Sequence, residues 1–235
     1  MNYLGPARTF GVLSLALAAV TAQASITQYF GEDKFANFSV SPVPEASRNS
    51  FLAALTDLKT EDFEGFKAGD VAPLALRFGG PSWTTVATIV KGSNGNVSDD
   101  TVYGRFNTTP GGSLWWDTSS PVNIEFATPV SAFGFYATDL GDFGAKLTVT
   151  LANSSGSKSF DVPNTTGGAE GSLLFWGFID TSAKYQSISF ASGGGLKPDF
   201  FGLDDLVIGS VPEPASPALF GLGLAGLAVA RRRHR

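Results

Sequence analysis

The chain has 235 residues, 43% hydrophobic and 16% charged, with 28 Gly, 13 Pro, 20 Phe and no Cys; this balance excludes intrinsic disorder, and glycines without a period of three exclude collagen. Its single Met is Met1 and its single His is His234, so the body has no imidazole, thiol or thioether. Ser-His-Asp and Cys-His catalysis and soft metal ligation are excluded there, which leaves oxygen ligands suited to calcium or magnesium.

At the N-terminus Arg8 precedes an apolar run from Phe10 to Val20, and Ala22-Gln23-Ala24 has the small-x-small form cut by signal peptidase. Residues 1–24 are therefore expected to be a signal peptide removed on export. Setting aside Arg8, the four terminal arginines and Glu213 leaves 11 Lys and Arg against 20 Asp and Glu, a net charge of −9. So acidic a body excludes nucleic acid as a partner, because phosphate recognition needs a basic face. Without disulfides, the hydrophobic core alone must hold the fold, and a chain of this length can build one.

Residues 25–59 are expected to form a leading segment with one short helix. From Pro44 to Leu58 the residues Phe51, Leu52, Leu55 and Leu58 share a helical face, Pro44 suits the first turn, and Glu45 complements the positive end of the dipole. The helix is expected to pack against a sheet edge.

From residue 60 to 210 the chain is a series of short β-rich segments cut by Gly, Asn, Asp and Pro. Alternation of apolar and polar residues is clearest in Val122–Phe126 and Leu147–Leu151. Further strands are predicted at Asp62–Phe66, Leu74–Phe78, Thr84–Val90, Thr101–Phe106, Ser113–Trp116, Ala132–Ala137, Lys158–Val162, Leu173–Ile179, Gln186–Phe190 and Phe201–Ile208. Strands at this spacing, with no helical pattern between them, predict an all-β fold: an antiparallel β-sandwich or jelly roll.

The chain closes with Val211-Pro212-Glu213-Pro214, an uncharged Gly/Ala/Leu run from Ala218 to Ala230, and the cluster Arg231, Arg232, Arg233, His234 and Arg235. As a helix the run would be about 20 Å long, short of the roughly 30 Å hydrocarbon core, but flanking arginines can reach the headgroups. The positive-inside rule puts the arginines in the cytoplasm and the preceding domain outside, as in any C-terminal membrane anchor. Motif, short transmembrane helix and arginine cluster, in this order, resemble a PEP-CTERM sorting signal over residues 211–235. The resemblance implies an exosortase that cleaves a transiently membrane-anchored chain near Val211, Pro212, Glu213 and Pro214. It further implies delivery to the cell surface or exopolysaccharide matrix of a Gram-negative bacterium.

The body is similar to a jelly roll of carbohydrate-binding-module type, on Asp62-Phe63-Glu64-Gly65-Phe66, the stretch from Phe133 to Gly141, and Phe201-Gly202-Leu203-Asp204-Asp205-Leu206-Val207. Acidic groups cluster at Glu61, Asp62 and Glu64, at Asp139 and Asp142, and at Asp199, Asp204 and Asp205. The first and last strands of a jelly roll commonly lie side by side, which would bring Glu64 to Asp204 and Asp205. The resemblance implies a structural Ca2+ on these three residues; otherwise they read as solvated turn residues or caps.

Candidate sugar-stacking residues are Trp83, after a Gly-Gly-Pro-Ser turn, and the adjacent Trp115 and Trp116, one of which should face outward on a strand. The same indoles also suit a core built from aromatics, as Trp176 does. The expected protein is an exported, non-catalytic module associated with exopolysaccharide. The alternative is a carboxylate-dependent glycoside hydrolase or polysaccharide lyase, since carboxylates about 5 to 10 Å apart can act as acid and base on a glycosidic bond.

Overall fold

The computed structural model describes residues 25–79, 87–167, 170–194 and 199–212. The signal-peptide expectation, Trp83, and the tail from Glu213 through the apolar run to Arg235 lie outside the described residues. The elements are β1 (Ile26–Asp33), α1 (Pro42–Ala53), β2 (Thr56–Glu61), β3 (Leu74–Leu76), β4 (Ala87–Ile89), β5 (Asn96–Ser98), β6 (Trp115–Thr118), β7 (Val122–Val130), β8 (Ala132–Thr138), β9 (Lys146–Asn153), β10 (Gly156–Asp161), β11 (Leu173–Asp180), β12 (Tyr185–Gly193) and β13 (Phe201–Ser210). One sheet runs β1-β11-β8-β13-β6-β5, with β2 also on β13; the other runs β10-β9-β12-β7-β4-β3. Neighbouring strands are antiparallel, so the fold is the expected all-β sandwich with one short helix.

The sheets meet over an aromatic core. On β9 the buried residues Leu147, Val149 and Leu151 alternate with more exposed ones, the pattern of a strand with one covered face. Strands β8 and β11 are buried at every position. Phe133, Phe135, Ala137, Leu174, Trp176 and Phe178 point into the core between the sheets. Their neighbours Ala132, Tyr136, Leu173, Phe175 and Ile179 join Phe51 and Leu55 in a second cluster on the outer face. A third layer therefore covers the middle of the first sheet, which is why β8 and β11 read as continuous apolar runs.

That layer is α1, and it lies on the sheet's face rather than at its edge. Phe51 sits over two glycines: a Cβ on Gly134 would come within 3.0 Å of Phe51 Cε1, and one on Gly177 within 3.2 Å of Phe51 Cδ2. Glycine is needed at both positions because the ring occupies the space a side chain would fill.

Several local expectations are corrected. The helix runs from Pro42 to Ala53 and stops short of Leu58, which is 44% exposed on β2. The ladder from β2 to β13, with Lys59 opposite Ile208 and Glu61 opposite Leu206, claims the backbone that the helix would have used. Within residues 25–59, β1 pairs along its whole length with β11 and β2 pairs with β13. Asp62–Phe66 forms a turn in which Phe63 takes φ +59° while its ring is fully buried. Thr101–Phe106 forms a tight turn closed by the Val102–Arg105 bridge, with Tyr103 and Gly104 at positive φ.

Candidate functional site

Strand β13 organises the first acidic group. Along one edge it pairs with β6 through Phe201–Leu203 and then with β2 through Leu206–Ser210, so Asp204 and Asp205 fall between the two partners. Against β8 the register shifts between Asp204 and Val207, and Asp205 has φ +48°. Such a bulge re-aims side chains at a point where strand pairing is interrupted.

Glu64, Asp204 and Asp205 do come together, though not through the first strand, which pairs with β11: Glu64 lies in the turn after β2, and β2 pairs with β13. Asp204 Oδ2 accepts hydrogen bonds from Thr108 N at 2.6 Å, Thr108 Oγ1 at 2.9 Å and Asn107 Nδ2 at 3.3 Å, and its Oδ1 accepts from Asp205 N at 2.8 Å. Glu64 Oε1 accepts from Asn107 Nδ2 at 3.1 Å and from Ser113 N and Leu114 N, both at 2.7 Å. Asp205 accepts from the hydroxyls of Thr108 and Thr109. Burial, followed by the charge of Asp205, pushes the Asp204 carboxyl well above its ordinary range.

These contacts decide how well a calcium ion suits the three residues. N–H groups turn their positive ends toward the oxygens a cation would need, and among the described residues no set of three or more His, Cys, Asp or Glu side chains is placed to hold a metal. The three carboxylates as placed do not fit calcium. They clasp the 107–114 loop onto β13 instead.

Trp115 and Trp116 are 1% and 0% exposed, so neither offers a ring to a ligand. Trp116 stacks on Phe63 in the core, with ring centroids 6.3 Å apart. Trp115 faces the other way, yet it is buried too, on the side of β6 where Asp117 pairs with Arg105 at 2.9 Å. Alternation sets the two indoles on opposite sides of β6, but both sides are covered.

A second acidic group lies at the end of β8. Asp139, with φ +61°, accepts from Gly171 N at 3.0 Å, and Asp199 accepts from Gly141 N at 2.7 Å. Burial raises both carboxyls to about 7; for Asp199 the neighbouring Asp142 carboxyl adds to the effect.

Exposed aromatics lie near this group. A Cβ on Gly104 would collide with the Asp139 carboxyl and lie 2.7 Å from Gly171 N, and one on Gly171 would lie 3.5 Å from the Phe38 ring. The Arg105 guanidinium sits 5.4 Å from the centroid of the Phe200 ring, next to Asp199 in sequence. Tyr103, Phe38 and Phe200 are 76%, 45% and 45% exposed. Sequence reasoning sought a platform among the tryptophans and missed these rings. The signal present was Tyr103-Gly104 in a turn and the doublet Phe200-Phe201, one ring of which must face away from the core.

Comparison with known proteins agrees with the tail reading. Residues 210–233 match the family described as PEP-CTERM protein-sorting motif. No curated protein matches the chain at a significant level. Among solved structures, the chain is similar to the K2 cleaved adhesin domain of Lys-gingipain, with a TM-score of 0.38 and 16% identity over 65% of this chain and 97% of that one. It is similar to the C-terminal family 22 carbohydrate-binding module of Clostridium thermocellum Xyn10B, with a TM-score of 0.36 and 12% identity over 64% of this chain and 97% of that one. It is also similar to a family 29 carbohydrate-binding module, with a TM-score of 0.31 and 15% identity over 55% of this chain and 98% of that one. The chain carries a PEP-CTERM protein-sorting motif at residues 210–233, which indicates export and sorting by an exosortase.

Proposed function

We propose that this protein is delivered by signal peptidase and exosortase to the surface or exopolysaccharide matrix of a Gram-negative bacterium, where its sandwich binds a polysaccharide without cleaving it. The observation that carries the reading is the exposure of the Tyr103, Phe38 and Phe200 rings near a polar, acidic end of the sandwich. Flat rings left in solvent offer stacking faces to the apolar side of a pyranose, while exposed polar groups of the neighbouring turns can meet its hydroxyls. The acidic body favours neutral sugar chains, because a polyanion would be repelled.

A polysaccharide pull-down and affinity electrophoresis with the full chain test this reading. Tyr103→Ala and Phe200→Ala should each weaken retention about tenfold, equivalent to about 1.4 kcal/mol, with an unchanged melting temperature. Equal retention by both variants refutes this role for the rings.

One observation favours the enzymatic alternative: Asp139 and Asp199 both have carboxyl pKa values of about 7, the range of a general acid. Release of reducing ends from a bound polysaccharide, abolished by Asp139→Asn, would establish a glycoside hydrolase in place of a binding module.

A further inference from the structure

The sorting-motif match begins at Ser210, and strand β13 also runs to Ser210. Motif and sandwich therefore share a piece of chain. Ser210 stands opposite Thr56 of β2, and its carbonyl accepts a hydrogen bond from Thr56 Oγ1 at 3.3 Å. Gly209 packs directly on the residues after α1: a Cβ there would come within 3.1 Å of Leu55 Cβ and 3.2 Å of Leu58 Cδ2. Val211, the first residue of Val211-Pro212-Glu213-Pro214, is partly buried against the outer cluster that holds Phe51, Leu55, Phe175 and Val207.

The hold of the fold ends one residue later. Pro212 is exposed, and without an N–H it cannot extend a strand ladder. Whether a peptidase can take a given bond depends on how far the backbone around it is buried and hydrogen-bonded. Engaging Ser210 or an earlier residue means stripping β13 from β2 and β8, its partners on opposite edges inside the first sheet. Engaging the chain beyond Val211 disturbs none of these pairings.

We propose that the sandwich itself sets the upstream limit of processing: cleavage falls at the Pro212–Glu213 bond or beyond it, and the mature protein keeps Val211 as an anchored part of its fold. The step breaks one peptide bond. Water gives its hydroxyl to the carbonyl carbon and a proton to the departing amine of the tail; an acceptor amine in place of water would leave the same C-terminal residue with added mass. The cleavage rests on the exosortase reading, which supplies the enzyme, whereas the limit is a property of the folded body.

Two measurements test the proposal. Purified full chain in detergent, digested with proteinase K and followed by intact mass, should lose its tail but keep Val211. Val211→Gly removes the packed side chain and should let digestion pass Ser210 about tenfold faster, since proteolysis follows the population of the opened end; circular dichroism checks that the sandwich stays folded. Digestion that runs into β13 in the wild type, or that is unchanged in the variant, would overturn the limit. The second measurement is the C-terminal residue of the surface form from cells that carry an exosortase, read by mass spectrometry and expected at Pro212 or later. A mature chain ending at Val211 or earlier would overturn the proposal and leave the exosortase reading standing. A surface form that keeps its tail through Arg235 would overturn both.

Discussion

Glu64 and Asp204 accept hydrogen bonds from one and the same nitrogen, Asn107 Nδ2, at 3.1 Å and 3.3 Å. The same amide group reaches the carbonyl of Leu114 at 2.8 Å. A single neutral side chain thus ties the turn after β2 to the bulge of β13 and closes its own loop. Asn107→Ala leaves buried acceptors short of a donor and should cost about 1 to 3 kcal/mol in a denaturant titration. Asn107→Asp should cost more, since it adds a carboxylate against two others. A loss below about 0.5 kcal/mol for either variant, the range of a neutral surface change, would mean that the clasp does not hold the loop.

The seat of α1 makes a second prediction. Gly177→Ala places a methyl group 3.2 Å from Gly134 Cα, Phe133 O and Phe51 Cδ2, two of which are backbone atoms that cannot swing aside. Overpacking of this kind should cost about 1 to 3 kcal/mol. Phe51→Leu should recover part of that loss, so a double-mutant cycle should show coupling between the two positions. Strict additivity would mean that the ring does not rest on the glycine.

Asp180 contributes to the acid limb of stability. Burial opposes its charge, but donors from Ser182, Tyr185 and Lys158 outweigh burial and hold the carboxyl at about 2, against 3.8 when unperturbed. Because the folded value is the lower one, the stability it supplies is complete above the unperturbed value and is lost as pH falls from 3.8 toward 2. Asp180→Asn should therefore lower the melting temperature at neutral pH and flatten its decline across this acid window. A parallel decline in variant and wild type would assign the acid limb to other carboxylates.

The tail prediction concerns address. Replacing Arg231, Arg232 and Arg233 by Gln, or truncating the chain after Pro212, should abolish delivery to the surface while leaving the melting temperature of the sandwich unchanged. Immunoblots of cell fractions read the result. Surface delivery that survives truncation would separate sorting from the motif at residues 210–233.

Much of the architecture could be read from local order alone. Period-two alternation marked β7 and β9, β-rich segments bounded by turn residues marked β8 and β11, and an ordered motif at the end of the chain marked the sorting tail. The absence of histidine and cysteine from the body also narrowed its chemistry to oxygen and nitrogen groups of other kinds. The neighbourhood of Glu64, Asp204 and Asp205 was expected from a jelly-roll order of first strand beside last; it is met through the turn after β2 instead, and the donors from the 107–114 loop were not foreseen.

Other features were decided only when distant segments came together. Alternation tells which residues share a face of a strand, but not whether another layer will cover that face. Trp115 and Trp116 therefore both went inside, and Leu58 came out once β2 joined β13. The gathering of Asp139, Asp142 and Asp199, with Tyr103 and Phe200 left in water beside them, is likewise a product of tertiary structure. Convergence and exposure depend on contacts between residues far apart in the chain, and no local pattern records them.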